Sequence, residues 1–290
     1  MRGLIVVNAY SQNEEYLYQS ERMREEFAKR GVPTDIWVND RFPLRIENGE
    51  IVSDLTDYDF CVYWDKDKYV LSILDKMGMR LFNFRDAIEK CDDKMLTYIE
   101  LANHGIPLPK TLPGLLCYNE EEQIKPSTIE RVEKLGYPLI VKESYGSLGQ
   151  GVYLVKNRAE LLPMMEKVKC SPHLFQEYVA TSFGKDVRVI VIDGKPIGAM
   201  LRKSEDDFRS NVGAGGRGEV YPLTQELSDL SQKIVAILGL DYCGIDFLFG
   251  KDGPVVCEVN SNAFFFTFER VTGVNVAEKY VDHVLRKLSE

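Results

Sequence analysis

Two carboxylates and one amide stand at spacings that could hold a cation between them: Asp246, Glu258 and Asn260, within the stretch from Gly244 to Asn260. Two apolar runs flank Lys251-Asp252-Gly253, which reads as a hairpin on a three-residue turn with Gly253 in the left-handed position. That register sets Asp246 across from Glu258, and alternation along the strand puts Asn260 on the same face. The opposite face then carries Ile245, Phe247, Phe249, Val255, Cys257 and Val259 as a continuous apolar layer. Like charges this close repel unless a cation separates them. An all-oxygen set suits Mg²⁺, which fills its shell with water and substrate phosphates.

Two glycine-rich segments could meet those phosphates. The first, Lys142-Glu-Ser-Tyr-Gly146-Ser-Leu-Gly149-Gln-Gly151, joins two β-rich runs. Its glycines let backbone N–H groups approach phosphate oxygens, Ser147 adds a hydroxyl, and Lys142 brings a cation to the end of an apolar strand. A mobile connection would look similar, but a Walker loop would lead into a helix and end in Gly-Lys-Ser/Thr. The second segment, from Asp206 to Gly218, has the G-x-G-x-x-G spacing at Gly213, Gly215 and Gly218. No strand precedes it and Pro222 forbids a long helix after it, so a dinucleotide site is excluded. A lid or anion clamp carrying Arg209 fits better, with Arg202 as a second guanidinium for carboxylate or acyl-phosphate oxygens. Either arginine could instead be a solvated surface charge. Phe175-Gln-Glu-Tyr-Val179 reads as a strand with an exposed Glu177 whose free backbone groups could meet an adenine edge.

The elements that must position these residues change character along the chain. Residues 3–8 read as a buried strand, about 14–30 as a helix ended by Gly31, and Thr34–Val38 as a strand. Tyr58–Trp64, a helix around Tyr69–Lys76 and Arg80–Phe84 continue the alternation, which predicts parallel βαβ units. Asp92 or Asp93 reads as the N-cap of a helix through Asn103. After a turn-rich loop over Pro107–Pro126 the pattern changes to hairpins: Pro138–Lys142 with Gly151–Val155, then Asp186–Ile192 with Lys195–Arg202 on Asp193-Gly194. Helices at 158–168, about 224–239 and about 275–288, and a strand at 173–179, complete the layout. The expectation is an α/β chain with α+β lobes: a βαβ domain over 1–88, a central lobe with the glycine loop over 89–180 and a C-terminal lobe with the cation site over 181–290.

Composition narrows the partners. The 290 residues carry a formal net charge of −9, which argues against binding nucleic acid or an anionic membrane surface while leaving room for a local basic pocket. The six cysteines have no C-x-x-C pair and read as reduced thiols, and three isolated histidines lack zinc spacing. With no signal-like N-terminus and no run of transmembrane length, the expectation is a cytoplasmic protein.

Together these residues resemble the ATP-grasp superfamily, and within it the RimK-type carboxylate–amine ligases of the alpha-L-glutamate ligase kind. The resemblance runs in order over about 92–279. It takes in Cys-Asp-Asp-Lys94, Pro-Leu-Ile-Val-Lys142, the Gly146–Gly151 loop, Gln176-Glu177-Tyr178, Lys-Asp186-Val-Arg188 and Asp-Phe-Arg209-Ser210-Asn211. It continues through Gly244-Ile-Asp246, Glu258-Val-Asn260-Ser-Asn and Thr272-Gly273-Val-Asn-Val-Ala277.

The resemblance implies an ATP-grasp fold with an N-terminal pre-ATP-grasp domain. It implies that Lys94 and Lys142 contact ATP phosphates, that Glu177 and Tyr178 border the nucleotide, and that Asp186 and Arg209–Asn211 touch ATP. Asp246, Glu258 and Asn260 would hold one or two Mg²⁺, with Mn²⁺ able to substitute, and Arg202 would orient an acyl phosphate. The implied activity is ADP-forming amide synthesis, adding an amino acid such as L-glutamate to a small acceptor; a homodimer or homotetramer fits the family. A peptide or protein tail as acceptor, a non-catalytic ATP-binding regulator, and a metabolite kinase are the alternatives. Where the glutamate-ligase pattern continues Ser-Pro-Gly, this chain reads Ser261-Asn262-Ala263-Phe264-Phe265-Phe266, so the aromatic run either borders the acceptor pocket or is core.

Overall fold

The computed structural model describes residues 1–11, 14–55, 57–210 and 217–290. Its first sheet has the order β2-β1-β5-β6, all parallel, from β1 (Gly3–Val7), β2 (Thr34–Val38), β5 (Phe60–Trp64) and β6 (Arg80–Phe82). A side hairpin of β3 (Arg45–Glu47) and β4 (Glu50–Val52) interrupts it. Parallel strands need crossovers, which α1 (Glu14–Lys29) and α2 (Lys68–Lys76) supply. β1 and β5 are buried throughout, as expected for a sheet covered on both faces. Two helices follow, α3 (Arg85–Asp92) and α4 (Lys94–Leu101). Asp93 caps the second by accepting from the amides of Met95 and Leu96.

The second sheet is antiparallel in the order β7-β10-β8-β9, from β7 (Thr111–Pro113), β8 (Leu139–Glu143), β9 (Val152–Val155) and β10 (His173–Glu177). Helices α5 (Pro126–Glu133) and α6 (Arg158–Val168) cover it, and its core of Ile129, Val132, Leu139, Val141, Leu161, Met165 and Phe175 is its own. The third sheet has the order β13-β12-β11-β14-β15, all antiparallel, from β11 (Lys185–Ile192), β12 (Lys195–Lys203), β13 (Arg217–Tyr221), β14 (Tyr242–Phe249) and β15 (Pro254–Asn260). Asp193 and Gly194 take φ values of 55° and 68°, as a type I′ turn demands. One face packs on α7 (Gln225–Leu238) and on residues of α3 and α4. The other, with α8 (Phe266–Thr272) and α9 (Val276–Ser289), merges with the first sheet in one core that includes Val7, Phe60, Trp64, Ile190, Tyr242, Phe265 and Tyr280.

Polar ties reinforce that shared core. Asn83, 2% exposed, donates to the carbonyls of Tyr242 (2.8 Å) and Ser261 (3.1 Å) and accepts from the amides of Asp241 (2.6 Å) and Tyr242 (2.9 Å). Asn262 donates to the Asp65 carbonyl at 2.6 Å, and the Phe265 amide donates to Gln19 at 3.0 Å. The first and third sheets are thereby one packed unit, while the second stands on a separate core. Asn83→Ala leaves four buried backbone groups without partners, and a loss of about 3 kcal/mol in urea unfolding is expected.

Candidate active site

The hairpin of β14 and β15 does pair Asp246 with Glu258 and Gly244 with Asn260, but by a different route from the one the sequence suggests. Phe249 pairs with Pro254, so four residues close the turn instead of three, and the register shifts between Asp246 and Phe247. A β-bulge at Cys257 takes up the extra residue and restores the Asp246–Glu258 match. The expected apolar layer is corrected accordingly. Val256, fully buried, holds the core position with Ile245, Phe247 and Val259, while Cys257 turns to the cleft and Val255 to a neighbouring groove. Gly253 has a φ of 141°, outside the left-handed helical region expected for it yet still a conformation that suits glycine.

Cross-strand pairing builds a charged cluster above this hairpin. Asp186 lies opposite Arg202, and Arg188 opposite Asp246. Arg202, 4% exposed, holds Asp186 with two bonds of 2.7 and 2.6 Å and reaches Asp246 Oδ2 at 2.8 Å. Arg188 grips Asp246 with two bonds of 2.8 Å. Burial alone would raise the Asp246 carboxyl, but Arg188 and then Arg202 outweigh it and hold it below the usual carboxylate range. Ser210 donates to Asp186 from the second glycine-rich segment. Asn260 Nδ2 lies 3.5 Å from Asp246 Oδ2, at the limit of hydrogen bonding, so its amide oxygen is not engaged by that contact.

Beside the cluster lies a cavity between the second and third sheets, with about 850 Å³ of empty space including its open mouth. Its wall includes Lys94, Lys142, Gly146, Ser147, Gly149, Glu177, Tyr178, Asp186, Arg202, Arg209, Ser210, Asp246 and Glu258. Lys94 opens α4 and donates from Nζ to the Gly146 carbonyl at 2.9 Å. Burial lowers the pKa of this ammonium, and the Glu258 charge opposes that shift. Lys142 lies on β8 with its ammonium 6.0 Å from the Tyr98 ring centroid. Arg209 is bidentate on Asp207 and donates to the Gly149 carbonyl at 2.9 Å, so the two glycine-rich segments meet. The Glu177 carboxylate accepts from the Lys110 amide at 2.9 Å.

Among the described predicted residues, Gly151 and Asn260 are not on this wall; Asn260 lines a second cavity. Gly151 is at the base of the glycine loop with a φ of 70°, where its carbonyl accepts from Glu143 at 2.8 Å and a Cβ would come within 3.0 Å of the Glu143 side chain. Its need for glycine is thus a turn requirement. Asn211, with Gly213 and Gly215, lies outside the described residues. Gly218 belongs to β13 opposite Arg202, so a strand follows the G-x-G-x-x-G spacing where a dinucleotide site would have a helix.

The second cavity, with about 1370 Å³ of empty space including its open mouth, lies between the first and third sheets. Asn8, Asp65 and Lys66 come to it from beyond the carboxyl ends of parallel β1 and β5, where open α/β sheets place their ligands. Arg188, Asn260, Asn262 and Phe264 come from the third sheet and its exit. Of the aromatic run only Phe264 lines this cavity; Phe265 is fully buried core, and Phe266 packs edge-on against Tyr18 at 4.9 Å. Ser147, Arg202 and Glu258 line both cavities. Arg188, which holds Asp246, is a residue the sequence reading missed as a site group. Arg188 was within reach of it, two positions from Asp186 on the same strand face.

The donor set fits a divalent cation bound together with phosphate and water. Glu258 has no hydrogen bond or ion pair among the described residues, although it is half-buried beside an ionised Asp246. No cluster of three or more His, Cys, Asp and Glu side chains forms a metal cage among the described residues, so protein alone would not complete the shell. None of the described helices is long and apolar enough to cross a membrane.

A cleft between two antiparallel lobes, with lysines on one wall and a carboxylate hairpin on the other, defines an ATP-grasp fold. The family model for the RimK-like ATP-grasp domain matches residues 91–284, and the chain belongs to that family. It is similar to beta-citrylglutamate synthase B of Danio rerio, 41% identical over 227 residues, which is 77% of this chain and 55% of that protein. It is likewise similar to N-acetylaspartylglutamate synthase A of Homo sapiens, 39% identical over 227 residues, 77% of this chain and 57% of that protein. The chain thus spans little more than half the length of these curated relatives. Among solved structures, D-alanine–D-alanine ligase from Bacillus anthracis complexed with ATP superposes with a TM-score of 0.76 at 19% identity, covering 100% of this chain and 97% of that one.

The two arginines on Asp246 should differ in what their loss costs. Arg188→Met leaves Asp246 paired with Arg202, and about 2 kcal/mol of destabilisation is expected. Arg202→Met strips Asp186 of its ionic partner, and about 4 kcal/mol is expected. Urea denaturation of both variants checks the order. A separate variant, Arg209→Ala, should speed limited proteolysis within residues 145–151 several-fold while stability changes by less than about 0.5 kcal/mol.

Proposed function

We propose that this chain is an ATP- and Mg²⁺-dependent carboxylate–amine ligase that adds an amino acid such as L-glutamate to a small acceptor acid through an acyl phosphate. The observation that carries this reading is the common wall of the two cavities, Ser147, Arg202 and Glu258. A phosphoryl group leaving a nucleotide in the first cavity would be met there by a carboxylate in the second. The relatives named as beta-citrylglutamate synthase and N-acetylaspartylglutamate synthase support glutamate and a small acceptor.

In this reading the first 88 residues serve the acceptor, residues 89–180 cover the nucleotide, and residues 181–290 bear the metal site. A carboxylate is a poor electrophile until its oxygen becomes part of a phosphate leaving group. Lys94 and Lys142 offset the charge that gathers on the transferring group. Backbone amides of the Gly146–Gly149 turn and the Ser147 hydroxyl fix its oxygens. Asp246, Glu258 and Asn260 would hold Mg²⁺, whose charge screens the phosphates when it is bound. Arg202, held rigid by two aspartates, orients the acyl phosphate. The contact between Arg209 and Gly149 closes the cover and keeps water from the intermediate.

Hydroxylamine intercepts an acyl phosphate without the natural amine. With ATP, Mg²⁺ and a panel of carboxylic acids, the wild type should give a hydroxamate from one acid, detected by mass spectrometry. Glu258→Ala should lower that rate by about a thousandfold with the fold intact. Wild-type turnover in this variant would remove the metal assignment.

A further inference from the structure

The charges lining the acceptor cavity do not balance within it. Its cations are Lys66, Arg188 and Arg202, and each is already committed. Lys66 reaches Asp92 at 3.3 Å, Arg188 holds Asp246, and Arg202 holds Asp186 and Asp246. Its carboxylates are Glu258, assigned above to the metal, and Asp65. Asp65 is 7% exposed and has no ion pair among the described residues. Its three donors among the described residues are neutral: Asn8 Nδ2 at 2.9 Å and the Lys66 amide at 2.7 Å on Oδ1, and Asn39 Nδ2 at 2.6 Å on Oδ2. A carboxylate has room for about four such bonds, so the described residues leave one place, on Oδ2. Burial raises the Asp65 carboxyl, and the hydrogen bonds from the Lys66 amide, Asn8 and Asn39 oppose that shift without reversing it.

A buried charge held only by neutral dipoles is electrostatically incomplete, and a cation delivered to it gains more than it would in water. We propose that Asp65 is the ammonium subsite of the acceptor cavity, binding the charged amino group of the incoming amine substrate. The proposal rests on the ligase reading given above. Asn8 and Asn39 then serve to keep Asp65 ionised and aimed while the site is empty of substrate. Because the subsite is contributed by the first sheet and the activation chemistry by the other two, amine recognition and carboxylate activation are separable.

Asp65→Asn keeps the shape and removes the charge. Hydroxylamine is largely uncharged near neutral pH, so hydroxamate formation by this variant should stay within about twofold of wild type. With L-glutamate as the amine, KM for glutamate should rise at least about tenfold while KM for ATP and for the acid are unchanged. Equal loss in both assays, or an unchanged KM for glutamate, would overturn the subsite and leave Asp65 a structural anchor. A second measurement is independent of the variant. In calorimetry on the wild type with ADP and Mg²⁺ present, L-glutamate should bind at least about tenfold more tightly than glutarate, which lacks the ammonium. Equal affinity would also overturn the subsite. Failure of the wild type to form any hydroxamate would instead overturn the ligase reading, and the subsite with it.

Discussion

One guanidinium, that of Arg202, organises the centre of this molecule. It is almost wholly buried and is shared by Asp186 and Asp246 on neighbouring strands. Taking three charges out of water is costly, and the Coulomb attraction among them offsets this only when the geometry is fixed. Fixing it requires the antiparallel register of β11, β12 and β14, which sets each acid opposite a base. The third sheet therefore has little freedom to slip, and the side chains beside the cluster inherit its rigidity.

The second sheet contrasts with this. Its core is its own, and its contribution to the nucleotide cleft comes through Lys142, the glycine loop and the end of β10. A lobe packed on itself can shift as a body without breaking the cores on either side. The polar ties across the cleft run from Lys94 and Arg209 to carbonyls of the glycine loop. These part-buried bonds are fewer than those of the buried network of the third sheet, so what holds the cleft shut is separate from what gives it shape.

Much of this was legible in the sequence where one physical signal dominated. Alternating strands and amphipathic helices in the first 80 residues, the Asp-Gly turn at 193–194 and the Asp93 cap are local effects, and each is present. α3 was missed because its first turn is polar and its apolar face is narrow, so only tertiary packing of Ala87, Ile88 and Cys91 stabilises it. α5 begins with proline inside a turn-rich stretch, and β13 is polar and glycine-bearing, paired only because β12 offers an edge. Asp65 and Asn8 carry no motif at all; only the topology, which brings the ends of β1 and β5 together, makes them neighbours. The Asp246–Glu258 match was read through a turn one residue too short, and the bulge at Cys257 cancelled that error.

That bulge has a consequence for how the chain can vary. It acts as a parity joint: on the tip side Val256 faces the core, and on the site side Val259 does so, with Glu258 left to the cleft. Length changes in the solvent-facing tip can be absorbed there without disturbing the joint. Loss of Cys257 would leave an unbulged ladder with the same faces, Val256 and Val259 to the core and Glu258 to the cleft, whereas loss of Val259 would turn Asn260 from the cleft into the apolar layer. The hairpin thus joins an arm free to drift in length to one whose every position is counted.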